Sequence, residues 1–171
     1  LITRFEKKKV FNSDGEKIKG DFIHIIPEQK AGKIIFDSKL CNNDWCTINP
    51  QTFQLLNFKD IYAVGDSVDA GDMPKSAFSA ESQAKILSLN LINRILQKSY
   101  LNPVFLNTCY SFSSNDRAFS ITSWYKLNTV KDRIVSLGSS ESSVDGLNNE
   151  RIRESKEAFG WYESITKTLY G

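Results

Sequence analysis

Histidine and methionine occur once each in the 171 residues, as His24 and Met73, and cysteine only three times. With one histidine available, Cys41-x4-Cys46 cannot assemble a four-ligand zinc centre without unusual partners. Its spacing is also wider than the common two-residue chelate loops, so no metal site is expected. Three cysteines are an odd number, so at least one is free or paired with a sulfur outside this chain. A long apolar run is also missing. The most apolar stretch, 86–96, is interrupted by Ser88, Asn90, Asn93 and Arg94. It falls short of the roughly eighteen apolar residues that a membrane helix requires and reads as a helix of a soluble protein. Charge of one sign is not in excess: 22 basic residues against 20 acidic ones leave +2. That balance gives no electrostatic case for nucleic acid. Lys7-Lys8-Lys9 reads as the solvated edge of a hairpin. Leu1-Ile-Thr-Arg-Phe5 lacks the charged start and apolar core of a signal peptide. The chain does not begin with Met and its first residues read as strand, so a truncated start is expected, and a missing part could have held a signal.

What remains is ordinary for a globular protein: 40% hydrophobic and 25% charged residues, enough for one domain or for a small domain with part of another. Residues 5–12 and 16–26 read as a hairpin around Ser13-Asp14-Gly15, the second strand ending in the apolar run Phe22-Ile-His-Ile-Ile26 before Pro27. Residues 27–44 read as irregular, 45–48 as a short strand, and 60–64 as a short buried strand. A helix over 76–98 follows, with Ser76 as N-cap and Ala80, Ala84, Leu87, Leu91 and Ile95 as its apolar stripe. Two antiparallel strands are expected at 108–114 and 117–126. The serine-rich stretch 136–149 reads as a flexible excursion. A last helix at about 150–168 carries Ile152, Phe159, Tyr162, Ile165 and Leu169 on one face.

Two stretches carry chemistry. The first runs strand, Gly65-Asp66, loop, Met73-Pro74-Lys75-Ser76, helix. Glycine lets backbone approach a ligand, and the carboxylate of Asp66 can meet a sugar or ribityl hydroxyl. The first N–H groups of the helix and the cation of Lys75 favour negative charge nearby. Taken as a dipeptide, Gly65-Asp66 is more often a turn that ends a strand. The second stretch is Leu106-Asn-Thr-Cys-Tyr-Ser111. A single cysteine such as Cys109 is by itself more often an inert core residue. Near the end, Phe159-Gly-Trp-Tyr162 places aromatics at helical spacing, which usually means core, though Trp161 sits off the apolar face.

The run Gly-Asp-x5-Asp-Met-Pro-Lys-Ser-x3-Ala-x-Ser-Gln-Ala-Lys, from Gly65 to Lys85, resembles the second FAD-contacting motif of the two-dinucleotide-binding-domain flavoproteins. Within that superfamily, which includes the pyridine nucleotide-disulfide oxidoreductases, it is similar to the flavoprotein subunit of flavocytochrome c sulfide dehydrogenase. Leu106 to Ser111 resembles the segment of that family bearing half of a redox-active disulfide, and the Trp-Tyr ending resembles its terminus. The resemblance runs from about residue 17 to the end. It is strongest at 61–85 and 104–112 and poor at 126–150.

The resemblance implies an α/β fold, α+β at the C-terminus. Residues 1–28 would close a central nucleotide-binding-like domain as its hairpin, and 29–100 would be the return segment of a Rossmann-like FAD-binding domain. Residues 101–171 would form a small C-terminal flavin-binding domain with antiparallel strands and a terminal helix. It implies FAD as cofactor, bound by Gly65, Asp66, Met73, Pro74, Lys75, Ser76, Phe78 and Trp161. Cys109 would be the catalytic thiol, with its mate in a region that this chain lacks. The family's ring at the position of Phe78 can carry a hydroxyl, and Phe78 does not. A c-type cytochrome subunit carrying haem c would be the partner, sulfide the substrate and the bacterial periplasm the location. The Gly-x-Gly-x-x-Gly loop that grips the FAD pyrophosphate in this family does not occur in the sequence, so the fragment alone is expected to be inactive and to hold FAD weakly. Two other readings stand beside this one. A sulfide:quinone reductase-like flavoenzyme would need an exposed apolar end for the membrane, against which Arg151, Arg153, Glu154, Lys156 and Glu157 speak. A truncated structural or docking fragment is the non-enzyme alternative.

Overall fold

A computed structural model describes residues 2–6, 8–41 and 43–171; Lys7, of the basic run, lies outside them. The described residues form two three-stranded antiparallel sheets, three α-helices and a middle section of loops, an α+β arrangement. The N-terminal sheet is β1 (Ile2–Glu6), β2 (Lys9–Asn12) and β3 (Lys17–Lys19), paired in that order. Its expected turn is present. Asn12 Oδ1 accepts from the backbone N–H of Asp14 at 3.0 Å and of Glu16 at 2.8 Å, while Gly15 takes φ +80°. The expected single strand 5–12 is instead two strands, turned at Lys8 with φ +59°. The expected strand 16–26 stops at Lys19, and Phe22 and Ile26 are 88% and 76% exposed. Apolar composition suggested a buried strand there, but no described strand flanks those residues and they lie in no sheet.

Residues 27–44 are not wholly irregular as expected, since α1 (Lys33–Asp37) lies among them. The strands expected at 45–48 and 60–64 exist only as single bridges, Cys46 to Val68, Ile48 to Leu55 and Gln54 to Tyr62. With so little ladder, side chains must satisfy the loop backbone, and α2 (Ala77–Ile95) supplies many of them. Its cap is the expected one: Ser76 accepts from the backbone N–H of Ser79. Its buried face is not the expected apolar stripe. Ser79, Gln83 and Asn90 are buried, whereas Ala80, Ala84, Leu87 and Leu91 of that stripe are half-buried and Ile95 is 79% exposed. Asn90 accepts from Leu101 N–H at 2.9 Å and donates to Gln51 C=O at 2.8 Å, tying the loops on either side of the helix together.

The C-terminal sheet orders β4 (Val104–Ser114), β5 (Arg117–Leu127) and β6 (Ile134–Glu141), and α3 (Asn148–Tyr170) packs against β5 and β4. Strand β6 replaces the first part, 136–141, of the flexible excursion expected at 136–149, because it pairs with β5 from Ile121–Glu141 to Leu127–Ile134. Serines gave no apolar signal for it, yet an outer strand needs none along its exposed length. On α3 the buried residues are Glu154, Ser155 and Ala158; Phe159, Tyr162 and Leu169 are 51%, 61% and 64% exposed. The expected apolar face thus points mainly to solvent, because the helix lies on the sheet through its small and polar side.

The core joins the middle loops to this sheet. Phe53 and Phe105, both fully buried, meet edge to face with centroids 5.8 Å apart, among Cys46, Val68, Leu55 and Ile134. Two latches close the join. Asp72 accepts from Arg133 at 2.8 Å and from Ser136 N–H at 3.0 Å, and its own N–H donates to Ile134 C=O at 3.0 Å. At Gly71, with φ +66°, an added Cβ would lie 2.3 Å from that same carbonyl oxygen. On the far side of the sheet, Glu154 accepts from Ser120 at 3.2 Å, from Arg151 at 2.9 Å and from Ser142. Burial pushes its carboxyl up, but the hydrogen bonds from Ser142, Arg151 and Ser120 outweigh that and leave it below its ordinary value.

Gly71→Ala should destabilise the chain by roughly 2–4 kcal/mol through strained backbone and overlap together, against about 1–2 kcal/mol for Gly15→Ala, where nothing stands in the way. Equal shifts in the urea midpoints of the two variants would contradict the latch. Because Glu154 titrates lower folded than unfolded, its share of stability is present above the ordinary Glu range and is lost as pH falls through the folded value. Urea midpoints measured between about pH 6 and pH 3 should therefore fall more steeply for the wild type than for Glu154→Gln; parallel curves would remove Glu154 from the account.

Candidate functional site

Strand β4 divides the chemistry between its faces, since side chains alternate along a strand. Phe105, Asn107 and Cys109 share one parity: Phe105 is fully buried, Asn107 is 3% exposed and Cys109 is exposed at the end of the series. Thr108, Tyr110 and Phe112 share the other parity and line a groove with Ala158, Phe159, Trp161 and Tyr162 of α3. The groove is completed by Ser76, Ala77 and Phe78 at the start of α2, and encloses about 460 Å³. Most of its lining is aromatic or aliphatic. The Phe78 and Trp161 rings are stacked in it, 5.2 Å between centroids and 19° between planes. Trp161 is held in place by its indole N–H, which donates to Glu81 at 3.1 Å, and Glu81 in turn pairs with Lys85 at 2.6 Å.

The Gly65–Ser76 unit meets the same helix from the other side. Gly65 opens a short 3-10 turn (Gly65–Ser67) with φ +75°, and a Cβ there would approach Ala80 Cβ at 3.2 Å. Its N–H donates to Gln83 Oε1 at 2.7 Å, and the Gln83 amide reaches Met73 Sδ at 3.8 Å. One buried glutamine thus fixes both ends of the loop between Gly65 and the helix. Asp66 and Pro74 are exposed, whereas Met73 is buried. Lys75 turns its ammonium back onto Val68 C=O at 2.6 Å and over the Trp45 ring at 3.8 Å. Desolvation lowers its pKa, opposed by Asp66 and Asp69.

At the helix start the two stretches join. Asn107 Oδ1 accepts from Ser76 Oγ at 2.5 Å and from Ser79 Oγ at 3.1 Å, and its amide N–H donates to Cys109 Sγ at 3.4 Å. The N-cap of α2 is therefore two hydrogen bonds away from the Cys109 sulfur. The other cysteines lie together elsewhere. Cys41 is within hydrogen-bonding reach of Cys46, whose thiol is pushed up first by burial and then by Cys41. Among the described residues, no group of three or more His, Cys, Asp or Glu side chains is placed to hold a metal ion.

The structure thus brings Ser76, Phe78 and Trp161 to one groove and links Ser76 to Cys109. It places Gly65, Met73 and Lys75 in the loop behind the helix. Sequence reasoning passed over Asn107, Gln83 and Glu81. Asn107 had a visible signal, a polar residue at the inward parity of β4 two positions before Cys109.

Residues 101–169 match the family model described as flavocytochrome c sulphide dehydrogenase, flavin-binding. The matched span runs from just before β4 into the last turn of α3 and includes Asn107, Cys109 and Trp161. This part of the chain is similar to the flavin-binding domain of that flavoprotein family, which supports an oxidoreductase flavoprotein with FAD as cofactor. The Gly65–Ser76 unit lies outside the match. No helix among the described residues is long and apolar enough to cross a membrane.

Gln83→Leu keeps the bulk of the side chain and removes the acceptor for Gly65 N–H. A polar group left unsatisfied costs about 1–3 kcal/mol, more than the net worth of an ordinary hydrogen bond. The thermal midpoint should drop accordingly, and amide exchange at Gly65 should quicken. An unchanged exchange rate at Gly65 would show that Gln83 does not hold the loop.

Proposed function

We propose that the chain is the C-terminal part of an FAD-dependent sulfide dehydrogenase, in which Cys109 is one half of a redox-active disulfide and electrons pass from the flavin to a c-type cytochrome subunit carrying haem. The observation that carries this reading is the flavin-binding family match across the segment that holds Cys109. In this reading, 1–28 and 29–100 are the ends of a nucleotide-binding-like and an FAD-binding domain, and 101–171 is the C-terminal domain. The last boundary is supported by the match beginning at residue 101. A periplasmic location belongs to the same reading.

The residues present suit a flavin. An apolar groove of about 460 Å³ falls in the size range of small-molecule sites. It opens at the first turn of α2, whose N–H groups and dipole favour negative charge. Ser76, Phe78 and Trp161 would hold the ring system there, whereas Gly65 and Asp66, assigned to the ribityl chain by resemblance, lie outside the groove lining. When bound, the flavin supplies an acceptor that takes electrons as a pair and releases them singly. The protein handles sulfur. Hydrosulfide attacks one sulfur of the disulfide between Cys109 and a cysteine outside this chain. A new S–S bond forms as a persulfide, the old one breaks, and its electron pair stays on the other cysteine as thiolate. The odd cysteine count and the proximity of Cys41 to Cys46 support this assignment.

In the complete enzyme, Cys109→Ser should retain the yellow flavin absorbance and lose sulfide-dependent cytochrome reduction by at least about a thousandfold, as expected when a covalent nucleophile is removed. Normal turnover by that variant would overturn the assignment.

A further inference from the structure

Asn107 is a polar side chain that is 3% exposed, and both the oxygen and the nitrogen of its amide have partners. Two serine hydroxyls, from the cap residue and from the first turn of α2, converge on Oδ1. A thiolate can only accept hydrogen bonds, so the amide must turn its NH₂ toward a charged Sγ. In that orientation Oδ1 receives both hydroxyl protons. The neighbouring groups leave the amide little reason to turn the other way. Ser76 Oγ already accepts from Ser79 N–H, and its own proton is then best directed to Oδ1. A buried carboxamide clamped by two hydroxyls and aimed at one sulfur is more than a strand residue requires, because the β4 ladder already satisfies the backbone around it.

We infer that Asn107 is a positioning residue for Cys109: it fixes the direction of Sγ relative to the start of α2 and stabilises negative charge on that sulfur. The inference rests on the reading of Cys109 as a redox thiol, supported by the flavin-binding match over the same segment. A donor to the charged form favours it, and thiolate character governs a cysteine both as attacking and as leaving sulfur in disulfide exchange. The clamp also couples the sulfur to the helix. Whatever moves the first turn of α2 moves the N–H that faces Sγ.

The test uses the reduced full chain and iodoacetamide, an uncharged probe that reacts with thiolate, with the modified Cys109 peptide quantified by mass spectrometry at one pH near neutrality. Asn107→Asp preserves shape and both acceptor sites for Ser76 and Ser79 but replaces the N–H with a charged oxygen. It should slow modification of Cys109 by tenfold or more. Asn107→Leu should slow it less. A purely structural role predicts the opposite sign, since loosening β4 would expose Cys109 further and speed the reaction. Should Asn107→Asp fail to fold by circular dichroism, Ser79→Ala frees one side of the clamp and should slow the reaction severalfold. Rates equal to or faster than wild type in the folded variants would overturn the inference. Because neither sulfide nor flavin takes part, that failure is distinct from failure of the sulfide dehydrogenase reading, which Cys109→Ser turnover decides.

Discussion

Helix α2 buries amides and hydroxyls where a hydrocarbon stripe would be the common solution, and the rest of the structure depends on that choice. Between β3 and α2 the chain forms little more than isolated bridges, so its backbone groups have few ladder partners. Gln83 takes the N–H of Gly65, Asn90 links Gln51 to Leu101, and Ser76 and Ser79 reach Asn107. Each leaves a buried polar group orphaned if removed, at a cost of about 1–3 kcal/mol. An apolar face on α2 would have gained burial but abandoned those groups. A loop-rich segment beside a helix is stable here because the helix acts as its hydrogen-bonding partner.

The same helix organises the site. Its back receives the Gly65 turn, its first turn shares a groove with Trp161, and its cap reaches the sulfur of Cys109 through one carboxamide. In the proposed reading, flavin binding and thiol chemistry meet at a single helix start, where the dipole favours negative charge. The C-terminal sheet contributes by rigidity. The Phe53–Phe105 contact holds β4, and the Gly71–Ile134 approach holds β6, against the loops.

Local signals in the sequence revealed the elements whose cause is local. The Ser76 cap, the hairpin turn at Asn12–Gly15 and the β4–β5 pair are set by short-range chemistry, and they stand where expected. The apolar run at 22–26 failed because burial needs a partner surface, and none of the described strands supplies one. The stripes assigned to α2 and α3 describe only part of the packing: Ala80, Ala84, Leu87 and Leu91 are half-buried, but both helices bury their polar or small sides most deeply, Gln83 and Asn90 on one, Glu154 and Ser155 on the other. Periodicity reports where apolar residues lie, not which side the fold will use. At the site, Ser76, Phe78 and Trp161 were legible as a group only through resemblance, and the link through Asn107 was hidden because two stretches thirty-one residues apart had to be folded together to reveal it.

The central claim is that Cys109 is half of a redox disulfide whose other half lies outside this chain. Disulfide mapping of the complete, oxidised protein by mass spectrometry of non-reduced peptides tests it most directly. The account predicts Cys109 joined to a cysteine upstream of Leu1, with neither Cys41 nor Cys46 linked to it. Cys109 recovered as a free thiol, or bonded to Cys41 or Cys46, would contradict it.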